Sequence, residues 1–364
     1  MSDQDTTTRG YIFKNKKDNG ERFGLVAVNP GGEGPVCVLV VTSRPGPCHD
    51  LLLLRPHQVG IMQPHLVATS HLPLTSLTWD LVPWVSEERR IQIQELVVTS
   101  TVREITISKF RDQGTYKSLV PLRVVLCDSP VSACVLQTWV PRIIYTGGSG
   151  AGKIDLTFHQ EKLQVKNTLQ FPPWLTEEED TLSFVSIGCV ENKWEVFLGD
   201  SRGRIYTYGT QHTTVDTAAD KFALRRDMTV PFPIHSLITC PPSKTSSVVS
   251  ILALDGNKRA AVLTVDPTRG TPCTLCPLDQ EVCVAAWCKA DNFALITTID
   301  NKRQMHHWRK DRPTEPDGEW RLLAVSFLEE DGVGVAWSSV HPTWLAYITP
   351  SQVVLRDMSE LIHH

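Results

Sequence analysis

Two phrases recur in fixed order along this chain, and their recurrence limits what it can fold into more than any other feature. The first is a short apolar run, four times ending in tryptophan: Leu77-Thr78-Trp79, Gln137-Thr138-Trp139, Ala285-Ala286-Trp287 and Val335-Ala336-Trp337. Weaker versions stand at Ser183-Phe184-Val185-Ser186-Ile187, at His235-Ser236-Leu237-Ile238-Thr239 and at residues 23–28. The second phrase follows each of these. It is an apolar strand, a turn, then a strand of alternating character, at residues 38–54, 96–110, 143–158, 196–208, 250–265, 294–308 and 345–356. Gly147-Gly148-Ser149-Gly150 and Asp200-Ser201-Arg202-Gly203 sit at two of the turns, where tight hairpins need residues that accept positive φ.

The period is about 50 residues, the length of one four-stranded blade. Seven repeats predict an all-β chain, a seven-bladed β-propeller. Helical periodicity is nearly absent, and short β-rich runs alternate with Gly, Pro, Asn, Asp and Ser. The 364 residues suffice for two average domains, but an all-β architecture of this size often folds as one. The expected divisions are a disordered lead at 1–9, a single propeller at 10–358 and a tail at 359–364. Residues 10–14 are expected to pair beside residues 353–356 and close the ring. The first strand of the fifth blade, near Leu237, is weak.

Residues 144–156, Ile-Tyr-Thr-Gly-Gly-Ser-Gly-Ala-Gly-Lys-Ile-Asp-Leu, resemble the inner hairpin of a WD repeat. Residues 197–208, Phe-Leu-Gly-Asp-Ser-Arg-Gly-Arg-Ile-Tyr-Thr-Tyr, resemble another, and Gln304-Met305-His306-His307-Trp308-Arg309-Lys310-Asp311 resembles the end of a third. The chain is therefore similar to the WD-repeat family in a divergent form, with degenerate WD-like blades. No blade carries the Gly-His pair with a closing Trp-Asp, so apolar packing between sheets is expected to replace the buried network those residues build. Divergent propellers of this kind resemble subunits of large assemblies, nucleoporins and transcription factor IIIC among them. The resemblance implies protein partners within a complex.

Net charge is −4, without the basic excess usual for a nucleic-acid-binding domain. The apolar runs are far shorter than the roughly 20 residues of a membrane span, and the polar start lacks a signal-peptide core. Ten scattered cysteines read as free thiols in a reducing compartment, hence cytoplasm or nucleus.

Chemistry-bearing motifs are few. Gly147 to Lys153 has P-loop spacing, but Ile154 stands where Ser or Thr would bind magnesium; the segment reads as a glycine-rich hairpin. Cys273, Cys276, Cys283 and Cys288 share one stretch, but only the first pair has ligand-like spacing, so no metal or other cofactor is expected. Adjacent His306 and His307 point to opposite faces of a strand. No catalytic constellation and no small-molecule substrate is evident.

Binding candidates remain. Segments 55–73, 160–179 and 207–233 exceed usual loop lengths. Trp84 and Trp174, each beside a proline, are aromatic anchors for a partner or rings folded onto their own blades. Glu177 and Glu178 lie in an acidic run that is a docking site or a solvated inter-blade loop. Arg225, Arg226 and Trp308 lie in basic clusters that contact nucleic acid, or that are exposed loops with Trp308 packing its own blade. The function expected is a non-enzymatic protein-interaction scaffold. The alternatives are a nucleic-acid-contacting subunit of a transcription or chromatin assembly, and a hydrolase using carboxylates from separate blades.

Overall fold

The computed structural model describes residues 10–14, 21–29, 35–45, 48–58, 60–85, 90–113, 116–127, 130–131, 133–137, 142–147, 150–159, 162–170, 182–190, 193–210, 222–239, 249–255, 259–265, 272–278, 281–288, 295–311, 318–338 and 341–363. Strand β1 is Gly10–Lys14. Blade 1 follows as β2 (Arg22–Val28), β3 (Val38–Ser43), β4 (His49–Gln58) and β5 (Ile61–Ser70). Blade 2 is β6 (Ser76–Val85), β7 (Ile91–Ser100), β8 (Glu104–Gln113) and β9 (Tyr116–Leu126). Blade 3 is β10 (Ala133–Gln137), β11 (Arg142–Gly147), β12 (Gly150–His159) and β13 (Lys162–Gln170). Blade 4 is β14 (Leu182–Val190), β15 (Lys193–Asp200), β16 (Arg204–Thr210) and β17 (Phe222–Thr229). Blade 5 is β18 (Ser236–Thr239), β19 (Val249–Leu254), β20 (Ala260–Val265) and β21 (Pro272–Leu278). Blade 6 is β22 (Val282–Cys288), β23 (Leu295–Asp300), β24 (Gln304–Lys310) and β25 (Trp320–Phe327). Blade 7 opens with β26 (Gly334–Trp337), β27 (Trp344–Ile348) and β28 (Gln352–Asp357), before helix α1 (Ser359–His363).

The first phrase of each repeat falls on the first strand of a blade, although Thr138 and Trp139 of the third lie outside the described residues, and the second phrase falls on its second and third strands. Blades 2 to 6 are separate four-stranded antiparallel sheets. The first strands of successive blades touch one another, and β2 meets β26 to complete the ring. Even the short β18 pairs along its whole length, from Ser236↔Leu254 to Thr239↔Ile251.

Blade 7 takes its fourth strand from the other end of the chain, as expected. β1 pairs with β28 in antiparallel register from Gly10↔Arg356 to Lys14↔Gln352. Tyr11 stacks on Trp344 at 6.1 Å, and Phe13 meets Phe23 edge-on at 6.1 Å. One further bond was not expected. The Ile12 N–H donates to the Gly60 carbonyl at 2.9 Å, so β1 also touches β5 in a parallel bridge and joins blades 7 and 1 into one eight-stranded sheet.

The core lies in layers between blades. Val38, Val40 and Leu54 of blade 1 pack with Ala346, Ile348 and Leu355 of blade 7. Leu39, Val41 and Leu53 pack with Trp79 and Val97 of blade 2. Equivalent layers join blades 2 and 3, 4 and 5, 5 and 6, and 6 and 7. Because each middle strand is buried on both faces, β19 and β23 are fully buried along their lengths.

Tryptophans of the first phrase also tie blades together. Trp287 Nε1–H donates to the Ile238 carbonyl in blade 5 at 2.7 Å, and Trp337 Nε1–H donates to Thr297 Oγ1 in blade 6 at 3.0 Å.

The long segments 55–73, 160–179 and 207–233 are not plain loops. They contain the fourth strands β5, β13 and β17. An outermost strand packs little on its outer side, so β5 shows the burial pattern of a half-wet strand rather than an apolar run. In blades 1 to 6 the third strand is bulged against the fourth, for example at Ile107/Ser108 and His307/Trp308. A bulge adds local twist, and the β28–β1 pair of blade 7 lacks one. Residues 359–363 form a short helix whose Leu361 and Ile362 pack against the layer holding Leu328, Trp337 and Met358.

Candidate functional site

A cavity of about 260 Å³ lies between blades 1 and 2. It sits toward the end where first strands pass to second strands and third to fourth. Asn29 follows β2, and Cys37 precedes β3. They hold each other: Asn29 N–H donates to the Cys37 carbonyl, and Cys37 N–H donates to Asn29 Oδ1, both at 3.0 Å. This bracket fixes the near wall. Leu53 and Arg55 come from β4, where the apolar run Leu51–Leu54 ends and the strand reaches the rim. Trp79, Glu95, Phe110 and Lys117 come from the four strands of blade 2.

The polar groups are arranged unequally. Trp79 Nε1–H donates to Glu95 Oε1 at 2.7 Å, which fixes that carboxylate against the indole. The Lys117 ammonium lies 5.8 Å from the centre of the Phe110 ring, and Phe110 tilts against Trp79 at 5.2 Å. Arg55 is half-buried and pairs with no carboxylate among the described residues. Burial pushes the Cys37 thiol up, while the Arg55 and Lys117 cations oppose that rise. Small-molecule pockets usually span about 300–1,000 Å³. This cavity is therefore suited to one side chain or a short chain segment.

A second surface is apolar. The outer strand β25 leaves Leu322, Leu323, Val325 and Phe327 exposed, Phe327 by 79%.

The residues singled out in the sequence do not converge on the cleft. Trp84 is half-buried on β6, and its ring lies 5.4 Å from Phe158 of blade 3. Trp308 is half-buried on β24; its Nε1–H donates to Thr298 Oγ1 at 3.1 Å, and its ring stacks on His306. Arg225 and Arg226 lie on β17. Trp174, Glu177 and Glu178 lie outside the described residues. The glycine-rich segment is the β11–β12 hairpin, with Gly147 paired to Gly150 and Ile154 buried. Cys273 and Cys276 lie on β21; on β22, Cys283 is exposed and Cys288 is buried, its thiol donating to the Pro342 carbonyl at 3.2 Å. Among the described residues no group of three or more His, Cys, Asp and Glu is placed to hold a metal ion, and no helix is long and apolar enough to cross a membrane.

Sequence reasoning assigned Trp79 to its blade and missed the cleft beside it. One signal was present. Arg55 breaks an apolar strand after Leu51–Leu54, and Glu95 precedes the apolar run Leu96–Val98. A charge placed where a core strand meets its end faces either solvent or a cleft.

A second feature went unread, a buried acceptor in the turn between second and third strands. Asp200 accepts from Arg202 N–H at 2.9 Å, Arg204 N–H at 2.8 Å, Arg204 Nε at 2.6 Å and Tyr206 OH at 3.1 Å. Asp255 accepts from Arg259 N–H and Nε, both at 2.5 Å. Asp300 accepts from Lys302 N–H and Gln304 N–H, both at 2.8 Å, and lies 3.2 Å from His306 Nε2. Thr101 Oγ1 accepts from Arg103 and Glu104 N–H in blade 2. The aspartates stand four residues before Arg204, Arg259 and Gln304, so the repeat was visible in the sequence.

No family model matches the chain, and no curated protein matches it. Among solved structures it is similar to the β-propeller domain of Cps50 (Swd1) from Myceliophteria thermophila. The two are 12% identical over 92% of this chain and 96% of that one, with a TM-score of 0.57. The likeness is one of fold, and the fold is a β-propeller. Since 933 chains of solved structures match, the architecture by itself assigns no activity.

Proposed function

We propose that this chain is a non-enzymatic protein-interaction scaffold and a subunit of a larger assembly in the cytoplasm or nucleus. The observation that carries the reading is the inter-blade cleft of side-chain size, with the Arg55 guanidinium, which pairs with no carboxylate among the described residues, at its rim and aromatic walls formed by Trp79 and Phe110. The exposed apolar residues of β25 add a second contact surface. A rigid ring with two separate contact regions can hold two partners at once. The blades are further read as divergent WD repeats, a reading supported by the buried turn aspartates and by the Trp308–Thr298 bond.

The test is mild affinity purification of the tagged full chain from its native cells, with co-purifying proteins quantified. A stoichiometric set of partners is the expected result. A chain recovered alone overturns the scaffold reading.

A further inference from the structure

We infer that the cleft between blades 1 and 2 receives one carboxylate of an extended acidic peptide segment, with the Arg55 guanidinium as its anchor. This rests on the scaffold reading and names the partner chemistry at that site.

The charges in the cleft select the ligand class. Among the described residues, Arg55 and Lys117 line it with a single carboxylate, Glu95. Glu95 is held by the Trp79 indole, and Lys117 lies over Phe110. Arg55 is the cation with no carboxylate partner among the described residues. A guanidinium presents a planar fork of donors that matches a carboxylate two bonds at a time. A cationic ligand such as a methylated lysine would find two aromatic walls, but two cations would repel it. A phosphate dianion would set a second negative charge against the fixed Glu95 carboxylate. A monoanion on a short apolar stem meets neither obstacle: the stem lies against Trp79, Phe110 and Leu53 while the carboxylate reaches Arg55. The small cavity volume admits one such side chain, so the rest of the partner runs over the surface as extended chain.

The experiment pans a random peptide display library against the folded full chain and measures binding of the recovered peptides. Controls are the same peptides with the acidic residue changed to its amide or to phosphoserine, and the variants Arg55→Gln and Arg55→Lys. Arg55 is half-buried at the rim, and thermal melts of both variants confirm that they fold. The expected result is a recovered consensus with Asp or Glu at one position. Its affinity should fall about ten- to a hundred-fold in the amide peptide and in Arg55→Gln, the range for one charge-assisted hydrogen-bonded contact. Arg55→Lys should fall between. Three results overturn the inference: a consensus without an acidic residue, acidic peptides that bind Arg55→Gln as tightly as the native chain, and phosphoserine peptides that bind more tightly than carboxylate ones. Partners that co-purify equally with Arg55→Gln would sink the cleft and leave the scaffold reading standing.

Discussion

Replacing Asp200 by alanine should destabilise the whole propeller far more than its turn position suggests. The Asp200 side chain is fully buried and satisfies four donors: two backbone N–H groups, the Arg204 guanidinium and the Tyr206 hydroxyl. Alanine leaves those donors behind, and the guanidinium, one quarter exposed, keeps its charge. Removing one partner of a buried pair typically costs about 3–5 kcal/mol. The partial exposure of Arg204 lets water recover some of that, so we expect about 3 kcal/mol. Asp200→Asn keeps an acceptor for the two backbone donors but turns a donor toward Arg204 and Tyr206; about 2 kcal/mol should be lost. The double variant Asp200→Ala with Arg204→Ala should fall short of the sum by about 1–2 kcal/mol, because the stranded cation is gone. The exposed neighbour Ser201→Ala should stay within about 0.5 kcal/mol. Urea unfolding followed by tryptophan fluorescence gives each value. A loss under about 1 kcal/mol for Asp200→Ala, or strict additivity in the double variant, would refute the claim that this turn is a buried electrostatic clamp.

Three further outcomes follow from the geometry. His307 is fully buried, and burial together with Arg356 and His306 holds its pKa down at about 4 against an ordinary 6.5; the unfolded chain therefore binds the proton first, stability is intact above about pH 6.5, and it falls by about 2 kcal/mol between pH 7 and pH 5. His307→Asn should flatten that slope in urea midpoints measured across the range, and an unchanged slope would exclude His307 as its source. Deleting residues 1–16 removes the β1–β28 ladder with the Tyr11 and Phe13 contacts, and should lower the melting temperature by about 5 °C or more; an unchanged melt refutes the closure. Arg55→Gln removes a cation that holds the Cys37 thiol down, so iodoacetamide labelling of Cys37 at pH 8, followed by peptide mass spectrometry, should slow although the side chain is smaller. Faster labelling would mean that access, not charge, controls this thiol.

The inner three strands of every blade were legible because their constraint is local and repeated. A middle strand buried on both faces, such as Val38–Val41 or Leu252–Leu254, must be apolar along its length, and its hairpin turn must carry residues tolerant of positive φ, such as Gly203 at +83°. The fourth strands were not legible. β5 puts polar and apolar residues on a surface that packs on one side only, so its segment reads as a long loop. The bulges between third and fourth strands leave no residue signature. The cleft was hidden for a different reason. Its lining comes from five strands of two blades and from residues flanking β2 and β3, and a single sequence does not reveal that Arg55 and Glu95, in different blades, share one cavity. Of the two readings of Trp308, a ring stacked on a base and a ring packed on its own blade, its Nε1–H bond to Thr298 Oγ1 on the neighbouring strand β23 favours the second.

The bond between the two chain ends also sets a schedule. Gly10–Lys14 must wait for a partner about 340 residues away. Bringing such distant segments together costs about 5 kcal/mol of chain entropy. At about 5–20 residues per second, synthesis keeps the first strand waiting for roughly 20–70 s. During that interval Tyr11 and Phe13 are in water, and the unpaired edges at both ends of the nascent ring are open to other chains. The six blades whose strands are contiguous in sequence can assemble early, but the ring becomes one cooperative body only when its last strand has been made. The vulnerable species for this chain is therefore the nearly complete, still open ring, and chaperone capture and proteolysis should concentrate there.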